Sequence, residues 1–341
     1  MLMASNTTPW RPMPHLTRLP LIWVALALAL TAAAGIFAVN QSAHAAPAAT
    51  TAPGADPTGA EAQISIAITS LSNVSLQEGT FHANFYLGVA CSEPCRADEW
   101  ELVNANSYTS DVTLEEAGAT WWQISGTFVL QPDVRLFPFD TQNLPIIIEH
   151  QNLTVEQLIL VPNVPGSEVS SEIGVPGWSL EPFTFTSSEH YFPAFDQTYS
   201  QVEFDVPIGR SAVASITKYY IPLLTFILLG LATLFLGRND YQVRTAGTAI
   251  VGLTVFYVFT AGGVGSVGYL TVWDVSVIVG FIALGLVLLA GIIGSHLFHE
   301  HKMEGEAGEA LNKKIRFGFL TGIIIFLAIS AVIIALVASL T

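Results

Sequence analysis

Four long apolar runs in the second half of the chain limit what it can become. They extend from Tyr219 to Leu236, from Thr245 to about Val267, from Tyr269 to Phe298 and from Ile315 to Leu340, each long enough to cross a bilayer as a helix. Only 11% of the 341 residues are charged, well below the quarter or so found in soluble domains. The text before these runs is different. From Ile64 to Phe204 it breaks into short strand-like pieces such as ISIAITSLSNVSL, GTFHANFYLGVA, WWQISGTFVLQ, LPIIIEH and YSQVEFDVPI, separated by turn clusters. The chain therefore reads as an all-β sandwich over residues 61–210 followed by a four-helix transmembrane bundle over 211–341. The helices are expected at about 219–237, 240–262, 269–298 and 315–340.

Charge orients these parts. Between Pro47 and Lys218 there are 21 acidic and 4 basic residues, whereas Gly237–Arg244 and Lys302–Arg316 together carry six basic ones. The positive-inside rule puts those two segments in the cytoplasm and the acidic sandwich on the exported side of a cell (inner) membrane that the chain crosses several times. An acidic exported surface attracts cations and repels nucleic acid. Residues 1–45 agree with export. Arg11 and Arg18 precede an apolar run from Leu19 to Val39 and an Ala43-His44-Ala45 site, which is signal-peptide grammar, although the same run is long enough for an uncleaved anchor. Residues 46–60 read as a disordered leader. In an oxidising compartment, Cys91 and Cys95 of CSEPC can staple one loop as a disulfide; free thiols or a redox pair are the alternatives.

The second apolar run is dotted with Thr245, Thr248, Thr254, Tyr257 and Thr260 and interrupted by glycines. Such a helix either packs closely on its neighbours or lines a water-filled path. His296, His299 and His301 lie near several glutamates, but they read as part of a solvated cytoplasmic loop, and no metal site is expected. No G-x-S-x-G, HExxH or P-loop occurs, so neither an enzyme nor a cofactor is expected.

Several motifs, in this order and spacing, resemble a known family. Phe137-Pro138-Phe139-Asp140, continued by Thr141-Gln142, is similar to an aromatic-Pro-x-Asp loop between two strands. Arg210 is similar to the basic residue that ends the last strand, and Pro222 to the proline of the first membrane helix. SNVSLQEGTFHANFYL, Trp100-Glu101 with Val103-Asn104, Gly177-Trp178 and Tyr269-Leu270-Thr271 complete the series. The set resembles the pentameric ligand-gated ion channels of the Cys-loop receptor superfamily, in their bacterial form. The resemblance runs from about residue 62 to the C-terminus. In two respects the chain departs from that pattern: no cysteines bracket the Phe137–Asp140 loop, and the stretch before Trp100 is short.

The resemblance implies a homopentamer in membrane lipid that conducts inorganic ions and is opened by a small-molecule ligand or by protons; a non-conducting membrane-anchored sensor is the rival reading. It also implies a coupling interface of Phe137, Pro138, Phe139 and Asp140 with Arg210, and with Glu78 completing a fork of two carboxylates around the guanidinium. Two pore registers are open. One lines the lumen with Asp240, Arg244, Thr248, Val251, Val255 and Val258; the other uses Ala246, Ile250, Leu253 and Tyr257. Ligand candidates are Trp100, Tyr108, Trp121, Trp122, Glu149, His150, Tyr191, Phe192 and Phe195, aromatic faces being able to hold an ammonium group. Glu189 and His190 are candidates for sensing pH.

Overall fold

A computed structural model describes residues 59–91, 99–116, 118–236, 239–265, 267–300 and 305–340, apart from the side chains of 298–300 and 337–340. The expected signal peptide, the leader up to residue 58, Cys95, His299 and His301 lie outside the described side chains. Cys91 is disulfide-bonded.

The strands are β1 (Ala60–Ser75), β2 (Thr80–Cys91), β3 (Trp100–Leu102), β4 (Ala105–Glu116), β5 (Ala119–Val129), β6 (Thr141–His150), β7 (Leu158–Pro162), β8 (Glu168–Val169), β9 (Trp178–Leu180), β10 (Thr184–Phe192) and β11 (Gln197–Arg210). They make a β-sandwich. One sheet has the order β4-β5-β2-β1-β7 with β8 also on β1, and the other has β10-β11-β6-β3 with β9 on β11. Strict alternation explains the layering, because successive side chains of a strand point to opposite faces. Ala62, Ile64, Ile66 and Ile68 of β1 are buried, as are Val202, Phe204, Val206 and Ile208 of β11. Phe81, Phe85 and Phe128 cluster in the first sheet, and Phe183 and Phe185 pack on Phe204 in the second. β4 is an edge strand that shows both faces to the surroundings, a consequence of its polar composition, SYTSDVTLEE.

Four helices follow, each long and apolar enough to cross a membrane: α1 (Ala212–Thr233), α2 (Asn239–Ala261), α3 (Val272–Glu300) and α4 (Glu306–Leu340). Three starts differ from the hydropathy reading. α1 begins at Ala212 because Ser211 caps it, its hydroxyl accepting from Ala214 N–H. α3 begins at Val272 because Thr271 and Asp274 form a reciprocal cap: Asp274 N–H donates to Thr271 Oγ1 at 3.1 Å while Asp274 Oδ2 accepts from Thr271 N–H at 2.8 Å. α4 starts nine residues ahead of the apolar run, since EAGEALNKK is polar yet rich in helix formers. Within α1 a π-turn over Ile216–Tyr220 precedes Pro222, whose ring displaces the carbonyl four residues back and so favours a widened turn there.

The chain divides into two compact units. One comprises the strands with residues 212–229 and 248–277. In it α2 meets α1 closely at Gly252, where a Cβ would come within 2.7 Å of the Phe226 ring. The other unit takes in 230–247 and 278–340, with a core of Leu234, Ala246, Ala283, Val287, Ala290, Phe319 and Ile323.

Phe204→Ala removes the ring at the centre of the second sheet and is expected to cost about 3–5 kcal/mol, seen as a lower melting temperature of the detergent-solubilised protein.

Candidate functional site

The loop between β5 and β6 is built around one carboxylate. Asp140 is 1% exposed, and a buried charge survives only with a counter-charge and hydrogen bonds. Both are supplied. Arg210 Nε donates to Asp140 Oδ1 at 2.7 Å, and Gln142 Nε2 donates to Oδ2 at 2.7 Å. Gln142 also holds Asp133 from both sides, donating to its carbonyl at 2.7 Å and accepting from its N–H at 3.1 Å. The Arg210 N–H donates to the Asp140 carbonyl at 3.2 Å, so backbone and side chain both tie the end of β11 to the loop.

The guanidinium is covered by rings, with its central carbon 4.2 Å from the Trp178 ring centre and 5.0 Å from that of Phe137. This corrects the expected fork. Glu78 is exposed at the β1–β2 turn, where its N–H donates to Ser75 Oγ, and Asp140 is the carboxylate that holds Arg210. Trp178 and Phe137 cover the guanidinium with their rings, and Gln142 satisfies the other oxygen of Asp140.

The loop's carbonyls also serve the helices. Val272 N–H donates to Arg135 O at 2.9 Å and Trp273 N–H to Phe137 O at 3.0 Å, so the loop caps the orphan amides at the start of α3. Ser215 Oγ of α1 donates to Pro138 O at 2.5 Å, and the Phe137–Pro138 bond is cis. Phe137 is buried edge-on against Tyr219, while Phe139, half exposed, stacks on Tyr220. Tyr219, Tyr220 and Phe256 all contact Trp273, whose Nε1 donates to Thr260 Oγ1 at 3.0 Å. Tyr257 of α2 donates to Asp274 of α3 at 2.8 Å. A chain of contacts thus leads from β11 through the loop to α1, α3 and α2. Beside it lies a cavity of about 290 Å³ bounded by Phe137, Tyr257, Val264, Tyr269 and Trp273. In the α2–α3 connection Gly265, at φ 79°, passes so near the β1–β2 turn that a Cβ would lie 3.2 Å from Gln77 Cα.

On α2, Asp240, Arg244, Thr248, Val251, Val255 and Val258 share an exposed face, with Val251 at 64% and Val258 at 65% exposure. Tyr241, Thr254 and Phe259 are exposed beside it. Ala246 and Leu253, by contrast, are completely buried inside the chain. Two members of the second register, Ala246 and Leu253, therefore face the interior of the chain, whereas Ile250 and Tyr257 are partly exposed.

The ligand candidates separate into two sets. Tyr108, Trp121 and Trp122 lie on β4 and β5 of the first sheet; Trp100, Glu149, His150, Tyr191 and Phe192 lie on the second. Of the latter, Trp100 and His150 are buried edge to face, and His150 Nδ1 accepts from the N–H groups of Asn152 and Leu153 at 3.1 and 3.0 Å. Glu149, also buried, accepts from His190 Nδ1 at 2.7 Å and from Gln201 Nε2 at 2.5 Å. These three are committed to internal partners and form no open cage, as the inward alternation of Trp100 and His150 dictates. Tyr191 near the end of β10 and Phe195 on the β10–β11 turn remain exposed. Trp178, Gln142 and Trp273 were not among the expected site residues. Gly177-Trp178 marked a strand, and nothing in its spacing announced a ring over Arg210.

No family model matches the chain. A stretch of 144 residues, 42% of the chain, is 20% identical to a proton-gated ion channel of Gloeobacter violaceus. That stretch spans 40% of the relative's length. The chain is thus a β-sandwich followed by four candidate membrane-spanning helices, with a distant likeness to an ion channel.

Asp140→Ala leaves a largely buried guanidinium without its carboxylate, and should cost on the order of 3–5 kcal/mol in thermal or denaturant unfolding.

Proposed function

We propose that the chain is the subunit of a homopentameric ion channel opened by protons, or by a small ligand, acting on the exported sandwich. The observation that carries this reading is the capping of α3 by the loop that also buries the Asp140–Arg210 pair. Any shift of β11 acts on Arg210, and through Asp140 and the carbonyls of Arg135 and Phe137 it acts on the amides that begin α3. Trp273 passes that displacement to Phe256 and Thr260 of α2, the helix with the exposed valine face. The distant similarity to a proton-gated ion channel supports the same reading.

In this mechanism the valines close the pore by dewetting, since an apolar constriction of small diameter excludes water and ions. Five copies of α2 would set Val251, Val255 and Val258 around one axis, with Asp240 and Arg244 one turn apart towards the cytoplasmic end. The acidic exported domain raises the local cation concentration, which favours cation conduction. The charge asymmetry of the sequence supports an orientation in the inner membrane with residues 61–210 outside.

The test is reconstitution of the purified protein in bilayers with current recorded over a pH series and a panel of amines and amino acids. Pentamers with gated currents are expected; a silent, non-pentameric particle would support the membrane-anchored sensor instead. Arg210→Ala and Asp140→Ala should abolish or shift activation while pentamers still assemble, as read from cross-linking and dose-response curves. Val255→Ser should leave a standing current at rest, because one hydroxyl per subunit wets the constriction.

A further inference from the structure

The outward face of the second sheet carries a carboxyl with no ion pair among the described residues. Asp205 lies on β11, five residues before Arg210, and its Oδ1 is buried without a hydrogen-bond partner. Its surroundings are known from the register. Thr184 of β10 and Pro145 of β6 stand directly opposite, and Glu203, two residues back on the same strand and face, stands between Thr186 and Ile147. Further along the same face are Gln201, Glu149, Ser188 and His190, with Glu101 of β3 opposite Glu149. His190 is the basic group among them, and it is already held by Glu149.

From this placement we infer that Asp205 is a proton-binding site, and that its protonation favours the described arrangement of β11 and thereby opening of the channel. The step is a simple one: a proton from solvent adds to a carboxylate oxygen and removes a charge whose Oδ1 has no hydrogen-bond partner among the described residues. Burial, with the charge of Glu203 second, raises the Asp205 pKa from 3.8 to about 6, and burial also raises that of Glu203. A raised acid binds more protons in the native arrangement than in a hydrated one, so stability falls as pH rises from about 4 to about 6 and the loss persists above. The gating half of this inference rests on the proposed channel function; the site itself does not.

The experiment pairs two readouts on the full-length protein with two variants. Asp205→Asn mimics the protonated form. Thr184→Lys places a cation opposite the carboxylate and stabilises the charged form. In melting curves at about pH 4 and about pH 7.5, Asp205→Asn should melt higher than the parent at the upper pH, with the difference lost at the lower. In currents, Asp205→Asn should move the half-activating pH upward by about half a unit or more, and Thr184→Lys should move it downward. A parent silent at every pH, with the melting difference intact, would remove the channel reading and keep the site. A parent gated by protons, with either variant giving unchanged activation curves, would overturn the inference. Melting curves of the two variants that track the parent at both pH values would overturn it as well.

Discussion

Everything at the junction of strands and helices depends on keeping one carboxylate charged in a dry place. Asp140 is almost wholly buried, and desolvating an ion costs several kcal/mol unless a counter-charge and hydrogen bonds replace water. In a segment with only four basic residues between Pro47 and Lys218, Arg210 meets that need. Its position at the last residue of β11 means that the same interaction that neutralises the charge also fixes where the sheet ends and the first helix begins. Trp178 and Phe137 cover the guanidinium with π faces, so that the Arg210 side chain is largely withdrawn from water.

The loop that holds Asp140 then does a second job with its backbone. Helix starts leave amides without intrahelical partners, and α3 finds partners for two of its own in Arg135 O and Phe137 O. A displacement of the loop therefore cannot leave α3 unaffected without exposing those donors. The aromatic contacts of Tyr219, Tyr220 and Phe256 with Trp273 extend the linkage to α1 and α2. The cavity of about 290 Å³ adjoins these contacts.

Much of the architecture was legible in the sequence. Period-two alternation in segments such as QISIAI and VEFDVPI marks half-buried strands, and long uncharged runs mark spans. The ends of the helices were less visible, because hydropathy sees only the apolar part of a helix. The cap at Ser211, the Thr271–Asp274 box and the polar first turns of α4 are hydrogen-bond features that an apolar count passes over. The Asp140–Arg210 pair was readable from charge scarcity and motif order, whereas the exclusion of Glu78 was not. Glu78 sits exposed at the β1–β2 turn with its N–H on Ser75 Oγ, a placement set by how the strands pair and not by any spacing to Arg210.

By itself the sequence determined the class of fold, the four apolar runs of its second half and the sign of the surface charge, since composition and local periodicity bound these; the buried pair came from the order of motifs in the family it resembles. Only the tertiary structure decided which face of α2 is open, because the two registers differ by two positions and both are apolar. Burial of Ala246 and Leu253 against neighbouring helices is a property of packing, and no local pattern contains it. The same holds for Asp205, an ordinary outward residue of an alternating strand in the sequence. Its character comes from what stands around it: a threonine, a proline and a second acid, with Oδ1 left without a hydrogen-bond partner among the described residues.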